Sequence, residues 1–272
     1  MALIKAVNLH KVFILEIGVK KETVDQDIKG KMQTLREYID VTKSITVLSG
    51  IDFSIEEGDY IVIMGPSGSG KTTLLNMLSA IDIPTKGTVH INDQLTRNLS
   101  DNKLANIRYK YIGFDFQNFY FLEELSVRHN IASPLVMQEE DESMIIERVN
   151  EIAEQLGIRD LLDKYPKQCS GGQKQKIALA RALVTHPKII VADEPTGNLD
   201  SNNANMLMQI FDELNHKGKT ILMVTHDCWI ASYAKKVLYF KDGKIVETLV
   251  RKDGVSKEEF FLEVLDLNSK HN

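Results

Sequence analysis

The chain has 272 residues, enough for one or two domains. Hydrophobic residues make up 43% and charged residues 26%, which supplies a sizeable core and excludes a largely disordered chain. The net charge of −5 lacks the basic balance of a nucleic-acid binder, so no nucleic-acid partner is expected.

No stretch approaches the ~18 consecutive apolar residues of a membrane span. Near the N-terminus, Lys5, His10, Lys11 and Glu16 interrupt the apolar residues, which argues against a signal peptide. Cys169 and Cys228 make neither a disulfide framework nor a four-ligand metal site. A soluble, reduced, cytoplasmic chain is the expectation.

In chain order, residues 18–44 come first as a polar, charged segment. Val24, Ile28, Leu35 and Ile39 recur at roughly helical intervals, which predicts an amphipathic helix. Gly30 weakens that reading, and a surface loop is the alternative. Residues 60–64 form a short apolar strand ending in a glycine-rich turn, and a helix follows with Leu74, Leu75, Leu78 and Ile81 on one side. Residues 118–183 carry helical periodicity and read as an inserted helical subdomain. Their acidic run, 139–142, suits a solvated face. Residues 188–192 and 220–224 are continuous apolar runs, as expected of strands buried on both faces of a parallel sheet. A helix is predicted over about 201–217 between them, and a hairpin over 237–246 after them. Ser256 and Glu259 form a capping-box pattern that opens a C-terminal helix within 251–272.

The chemistry concentrates in Gly65, Pro66, Ser67, Gly68, Ser69, Gly70, Lys71 and Thr72, which match G-x-x-x-x-G-K-[ST] and are followed by Thr73. Glycines let the backbone curl so that N–H groups point at phosphate oxygens, and the next helix presents its positive end to the same anion. Lys71 adds a full positive charge, and the Thr72 hydroxyl suits Mg²⁺. The run over 189–192 delivers Asp193 and Glu194 at its carboxyl end. Asp193 there suits Mg²⁺ through water, and Glu194 suits an attacking water.

Between these halves, Cys169, Ser170, Gly171, Gly172 and Gln173 resemble the signature of the ATP-binding-cassette ATPases, commonly written with leucine in the place of Cys169. The order of motifs completes the resemblance. The phosphate loop is followed by Phe116, Gln117 and Asn118, then the signature, then Asp193 and Glu194. Gly197 to Asp200 come next, and Val224, Thr225, His226 and Asp227 close the series. The resemblance covers about residues 2–13 and 45–250. The stretches Ile112 to Asn118, Tyr165 with Pro166, and Ala192 to Ser201 are similar to the exporter group that includes macrolide-efflux, lipoprotein-releasing and bacitracin-type peptide-resistance ATPases.

The resemblance implies a single nucleotide-binding domain over 1–272. Its fold would be α/β, a P-loop ATPase core with a mostly parallel sheet, an N-terminal antiparallel β part and an inserted helical subdomain. Residues 18–44 would be an insertion atypical of the family. ATP and Mg²⁺ are the implied ligands, with Thr72, Gln117 and Asp193 at the metal. Glu194 would be the general base and His226 would contact the γ-phosphate. Gln117 would touch Mg²⁺ or the attacking water. Two copies would face head to tail, so that Ser170, Gly171, Gly172 and Gln173 of one reach the phosphate held by Lys71 of the other. Asp200 would couple the two sites. Phe13 stands where the family usually has a tyrosine stacked on adenine, with an ordinary core aromatic as the alternative. The implied role is the ATPase subunit of an exporter, peripheral at the cytoplasmic face of the membrane and working through a separate transmembrane permease. The alternative is a regulatory ATPase of the cell-division type, which signals to a membrane partner without transport.

Overall fold

The computed structural model describes residues 2–26 and 32–271; over 15–26 and 32–42 it describes the backbone. Strand β3 (Tyr60–Met64) is buried along its whole length. Tyr60, Val62 and Met64 face one core, while Ile61 and Ile63 face another. That two-sided burial is why the run is continuously apolar rather than alternating. The same holds for β7 (Ile189–Asp193) and β8 (Thr220–Thr225). With β6 (Ile112–Phe116), β9 (Lys236–Lys241) and β10 (Lys244–Val250) they make a six-stranded sheet in the order β10-β9-β3-β8-β7-β6. Every pairing is parallel except the β9–β10 hairpin.

On one face of this sheet lie α1 (Lys71–Leu78), α2 (Asp101–Tyr111) and a second sheet. That sheet is antiparallel and joins β1 (Ala2–Gln26), β2 (Met32–Glu56), β4 (Lys86–Ile91) and β5 (Gln94–Leu95) in the order β2-β1-β4-β5. The other face carries α3 (Val127–Val136), α4 (Glu142–Gln155), α5 (Gly171–Leu183) and α6 (Ser201–His216). Helix α7 (Cys228–Ala231) and α8 (Lys257–His271) complete that layer. Residues 118–183 hold helices and two 3₁₀ turns and no strand. The segment expected to be a C-terminal helix forms α8, capped as its sequence predicts. Ser256 N–H donates to Glu259 Oε2 at 2.9 Å, and Glu259 N–H donates to Ser256 Oγ at 3.2 Å.

Residues 18–26 and 32–44 are not the amphipathic helix that their spacing predicts. They extend β1 and β2 as one antiparallel ribbon, paired from Val12↔Thr46 out to Gln26↔Met32. Gly30 and Ile28 lie outside the described residues. Strand β4 pairs with β1 only between Ile4 and His10, so the outer ribbon pairs with itself alone. At ~3.4 Å per residue it reaches about 50 Å beyond Val12. Val19, Thr23, Val24, Thr34, Ile39, Val41 and Thr42 supply the β-branched composition that favours extended backbone over helix.

Candidate active site

The turn between β3 and α1 is built on glycine geometry. At Gly65, with φ 153°, an added Cβ would stand 1.9 Å from the Phe240 carbonyl oxygen. Gly70 caps α1 in the left-handed region, with φ 101°. Ser69 N–H donates to Pro66 O at 3.3 Å and closes the turn. The Lys71 ammonium folds back into it and donates to Gly65 O at 2.9 Å and Pro66 O at 2.8 Å. Ser69 Oγ is buried with no hydrogen-bond partner. Ser67, Gly68, Gly70, Thr72 and Thr73 line a cleft of about 480 Å³, a volume within the usual range of small-molecule sites.

Gln117, Asp193 and Glu194 form the facing wall of this cleft. The parallel strands β6 and β7 end there and deliver all three at their carboxyl ends. Thr72 Oγ1 donates to Asp193 Oδ1 at 3.3 Å. Glu194 sits in the left-handed region (φ 46°), and its N–H donates to Val224 O at 2.9 Å. His226 follows the end of β8, with Nδ1 3.1 Å from Glu194 Oε1. The Asn198 amide donates to Gln117 O at 3.0 Å and ties two of the sequence motifs together.

Burial and neighbouring charge set the electrostatics of the cleft. Burial pushes the Lys71 ammonium down, and Glu194 and Asp193 pull it back up. Burial pushes the Asp193 carboxyl up, and neighbouring Glu194 adds to the shift against Thr72 and Lys71. A buried unpartnered hydroxyl, a buried ammonium and two adjoining carboxylates fit a polyphosphate with a divalent cation. Thr72 and Asp193 are the oxygen donors that Mg²⁺ prefers. No group of three His, Cys, Asp or Glu side chains converges among the described residues, so beyond Thr72, Asp193 and Gln117 such an ion would take its ligands from water and phosphate.

Ser170, Gly171, Gly172 and Gln173 do not line this cleft. They open α5, where Ser170 Oγ accepts from Gln173 N and Gln173 Oε1 accepts from Ser170 N, a reciprocal cap. Asp200 caps α6 by accepting from the Asn202 and Asn203 amides at 3.0 Å each. Those bonds hold its carboxyl below the ordinary value, with Asn203 the largest cause. The two caps adjoin, because a Cβ on Gly172 would meet Asn203 Oδ1 at 2.4 Å. Phe13 is paired with Ile45 on the ribbon, 40% exposed, under the Lys11 ammonium at 5.0 Å, and does not line the cleft either. Val47, two residues along from Ile45, does line it. Sequence reasoning passed over Val47, which belongs to no motif; its place comes from the approach of β2 to Gly70 of the phosphate loop.

The comparisons with known proteins agree with this geometry. The family model described as ABC transporter matches residues 48–197. The bacitracin export ATP-binding protein BceA of Halalkalibacterium halodurans is 40% identical, over 97% of this chain and 95% of that protein. The macrolide export ATP-binding/permease protein MacB of a Shewanella species is 41% identical over 75% of this chain but 32% of its own length. A solved dimeric structure of the ATP-binding cassette MJ0796, in a post-hydrolysis state bound to ADP and Pi, superposes with a TM-score of 0.75 and 32% identity. It covers 92% of this chain and 99% of that one. A phosphate-loop cleft faced by paired acids, matched by the family model over more than half the sequence, places the chain in the ABC transporter family as an ATPase.

Proposed function

We propose that the chain is the ATP-hydrolysing subunit of an exporter that moves an antimicrobial peptide or similar amphipathic cargo through a separate transmembrane permease. One observation carries the two-copy part of this reading. The phosphate cleft holds Lys71, Thr72, Gln117, Asp193 and Glu194, while the Ser170 signature lies apart from it. A second copy set head to tail brings Ser170, Gly171 and Gly172 to the phosphate of the first, with Gln173 fixing the cap behind them. Asp200, adjoining that cap, links the two sites. The dimeric cassette among the structural relatives supports this arrangement. The full-length likeness to a bacitracin export protein supports peptide cargo over macrolide.

Glu194 accepts the proton of the attacking water as its oxygen bonds to the γ-phosphorus and the bond to the ADP oxygen breaks. His226 holds the Glu194 carboxylate and reaches toward the γ-phosphate, and Lys71 draws charge from the outer phosphates. Thr72, Asp193 and Gln117 hold Mg²⁺, which supplies charge neutralisation when bound. Phe13 stacks on the adenine through its face. The permease docks where Tyr120 and Leu122 follow Gln117, beside exposed Val136 and Met137. Tyr120 and Met137 border an apolar groove of about 400 Å³ between α2, α3 and α5. No helix among the described residues is long and apolar enough to cross a membrane. Contact with the membrane, at its cytoplasmic face, then runs through the permease.

Two measurements test this reading. Glu194→Gln abolishes turnover and leaves an ATP-bound dimer; wild-type turnover in that variant refutes the base. Purification of the tagged chain from detergent-solubilised membranes recovers a multi-span protein in stoichiometric amount. Recovery of the chain alone refutes the exporter, and recovery of a membrane protein that neither exports nor extracts cargo points to a signalling role.

A further inference from the structure

Strand β6, with the loop that follows it, and helix α5 are joined at three levels. At the first, a Cβ on Gly113 would stand 2.2 Å from Ala182 O, so helix and strand backbones pack directly. At the second, Gln175 Nε2 donates to both oxygens of Asp115, at 3.0 and 2.9 Å. Both side chains are buried, at 1% and 2% exposure. At the third, the Arg181 guanidinium donates to Phe119 O and to Tyr120 O, and lies 5.3 Å from the Phe121 ring centre. Strand β6 delivers Gln117, and α5 opens on Ser170.

We propose that Asp115 is a positioning residue that clamps the strand delivering Gln117 to the helix carrying the Ser170 signature, so that both nucleotide-facing elements move as one body. This rests on the reading of Gln117 and Ser170 as contacts to the two nucleotides of a head-to-tail dimer. Under that reading the clamp links opposite sites. Gln117 senses the nucleotide of its own copy, and Ser170 of the same rigid unit meets the nucleotide of the other. Packing alone does not account for an acid here. Burying a carboxyl against an amide costs both groups their water, and an apolar pair of similar size fills such a place without that cost. What the carboxylate adds is a two-point hold on Gln175, five residues into the helix from Ser170.

The experiment compares Asp115→Val, Asp115→Asn and Gln175→Met in the full chain. Three readouts are taken: thermal midpoint, affinity for a fluorescent ATP analogue, and turnover at saturating ATP. Asp115→Val lowers the thermal midpoint, because the buried Gln175 amide loses its acceptor, but holds nucleotide affinity within about twofold, while turnover falls at least about fivefold, as for coupled sites. Asp115→Asn, which can still bond Gln175 through its amide, retains more than half of the turnover. Gln175→Met repeats the loss from the other side, and the double variant Asp115→Val/Gln175→Met, which leaves neither polar group buried alone, regains the thermal midpoint but not the turnover. Full turnover in Asp115→Val overturns the proposal. So does a double variant that recovers turnover together with the thermal midpoint, which marks a merely structural pair. Ser170→Ala separates the two layers of the argument. If Ser170→Ala leaves turnover intact, the dimer reading fails; if it lowers turnover and Asp115→Val does not, only the clamp fails.

Discussion

Asn130 sits fully buried on the first turn of α3, a few residues beyond the segment that carries Gln117. Its side chain accepts from Leu122 N–H at 2.9 Å and donates toward Leu122 O, Leu125 O and Ser126 O at 3.0 to 3.1 Å. One amide thereby fixes the whole loop between Leu122 and the cap of α3. Replacing it with alanine removes its two N–H donors and one acceptor. At about 1 kcal/mol net per hydrogen bond, Asn130→Ala costs about 3 kcal/mol. For a chain of this size that lowers the thermal midpoint by about 6–12 °C. The phosphate loop is untouched, so ATP affinity stays within about twofold, whereas limited proteolysis opens the 119–126 loop. Thermal melting by circular dichroism, with mapping of the first cleavage site, reads both effects. A midpoint within about 1 °C of wild type, with the loop equally protected, refutes this account of the loop.

Gly65→Ala sets a methyl group against Phe240 O in a backbone region that alanine avoids. Strain and overlap together cost about 2–5 kcal/mol, and nucleotide binding in a titration is lost along with thermal stability. Acid loosens α8. Glu247 is held below the ordinary carboxylate range by Lys270 first and His271 second, and Glu259 by the Ser256 cap. A lowered carboxyl stabilises the fold above its unfolded value, and that contribution is lost as pH falls through the folded one. Trp229, the sole tryptophan, packs edge to face on Phe261 of α8 at 5.5 Å with the Lys257 ammonium 4.6 Å from its ring. Its fluorescence therefore shifts on acidification below the ordinary carboxylate range before the far-ultraviolet dichroism collapses, and a single coincident transition contradicts this. Replacing residues 20–42 with a tight turn leaves basal ATP hydrolysis intact and weakens recovery of the membrane partner; unchanged recovery removes the ribbon from that interface.

The strands of the core were legible because burial on both faces makes each one a continuous apolar run. Leu74, Leu75 and Leu78, all buried, marked α1 for the same reason. The phosphate cleft was legible because its chemistry needs fixed residue types at fixed spacing. The ribbon was not. Helical spacing over Val24, Ile28, Leu35 and Ile39 is a property of one segment, whereas pairing such as Lys21↔Glu37 and Glu22↔Arg36 is a property of two. The β-branched residues along both arms were the available signal. The Asp115–Gln175 contact was equally hidden, because its partners lie 60 positions apart and neither belongs to a spacing pattern. Asp115 stands inside a motif quoted for Gln117, yet only the position of α5 gives it a role.

The self-pairing of the outer ribbon has a consequence for how such chains diversify. Removing one residue from each arm shortens it by a single rung and leaves Phe13 opposite Ile45, with Val47 still turned to the cleft. Its length is thus a free variable, adjustable in steps of about 3.4 Å without retuning the ATPase. An unequal deletion behaves otherwise, because it slips the register of one arm against the other. Natural length variants of this ribbon should therefore differ by matched pairs, which makes its reach a ruler that selection can set independently of the motor.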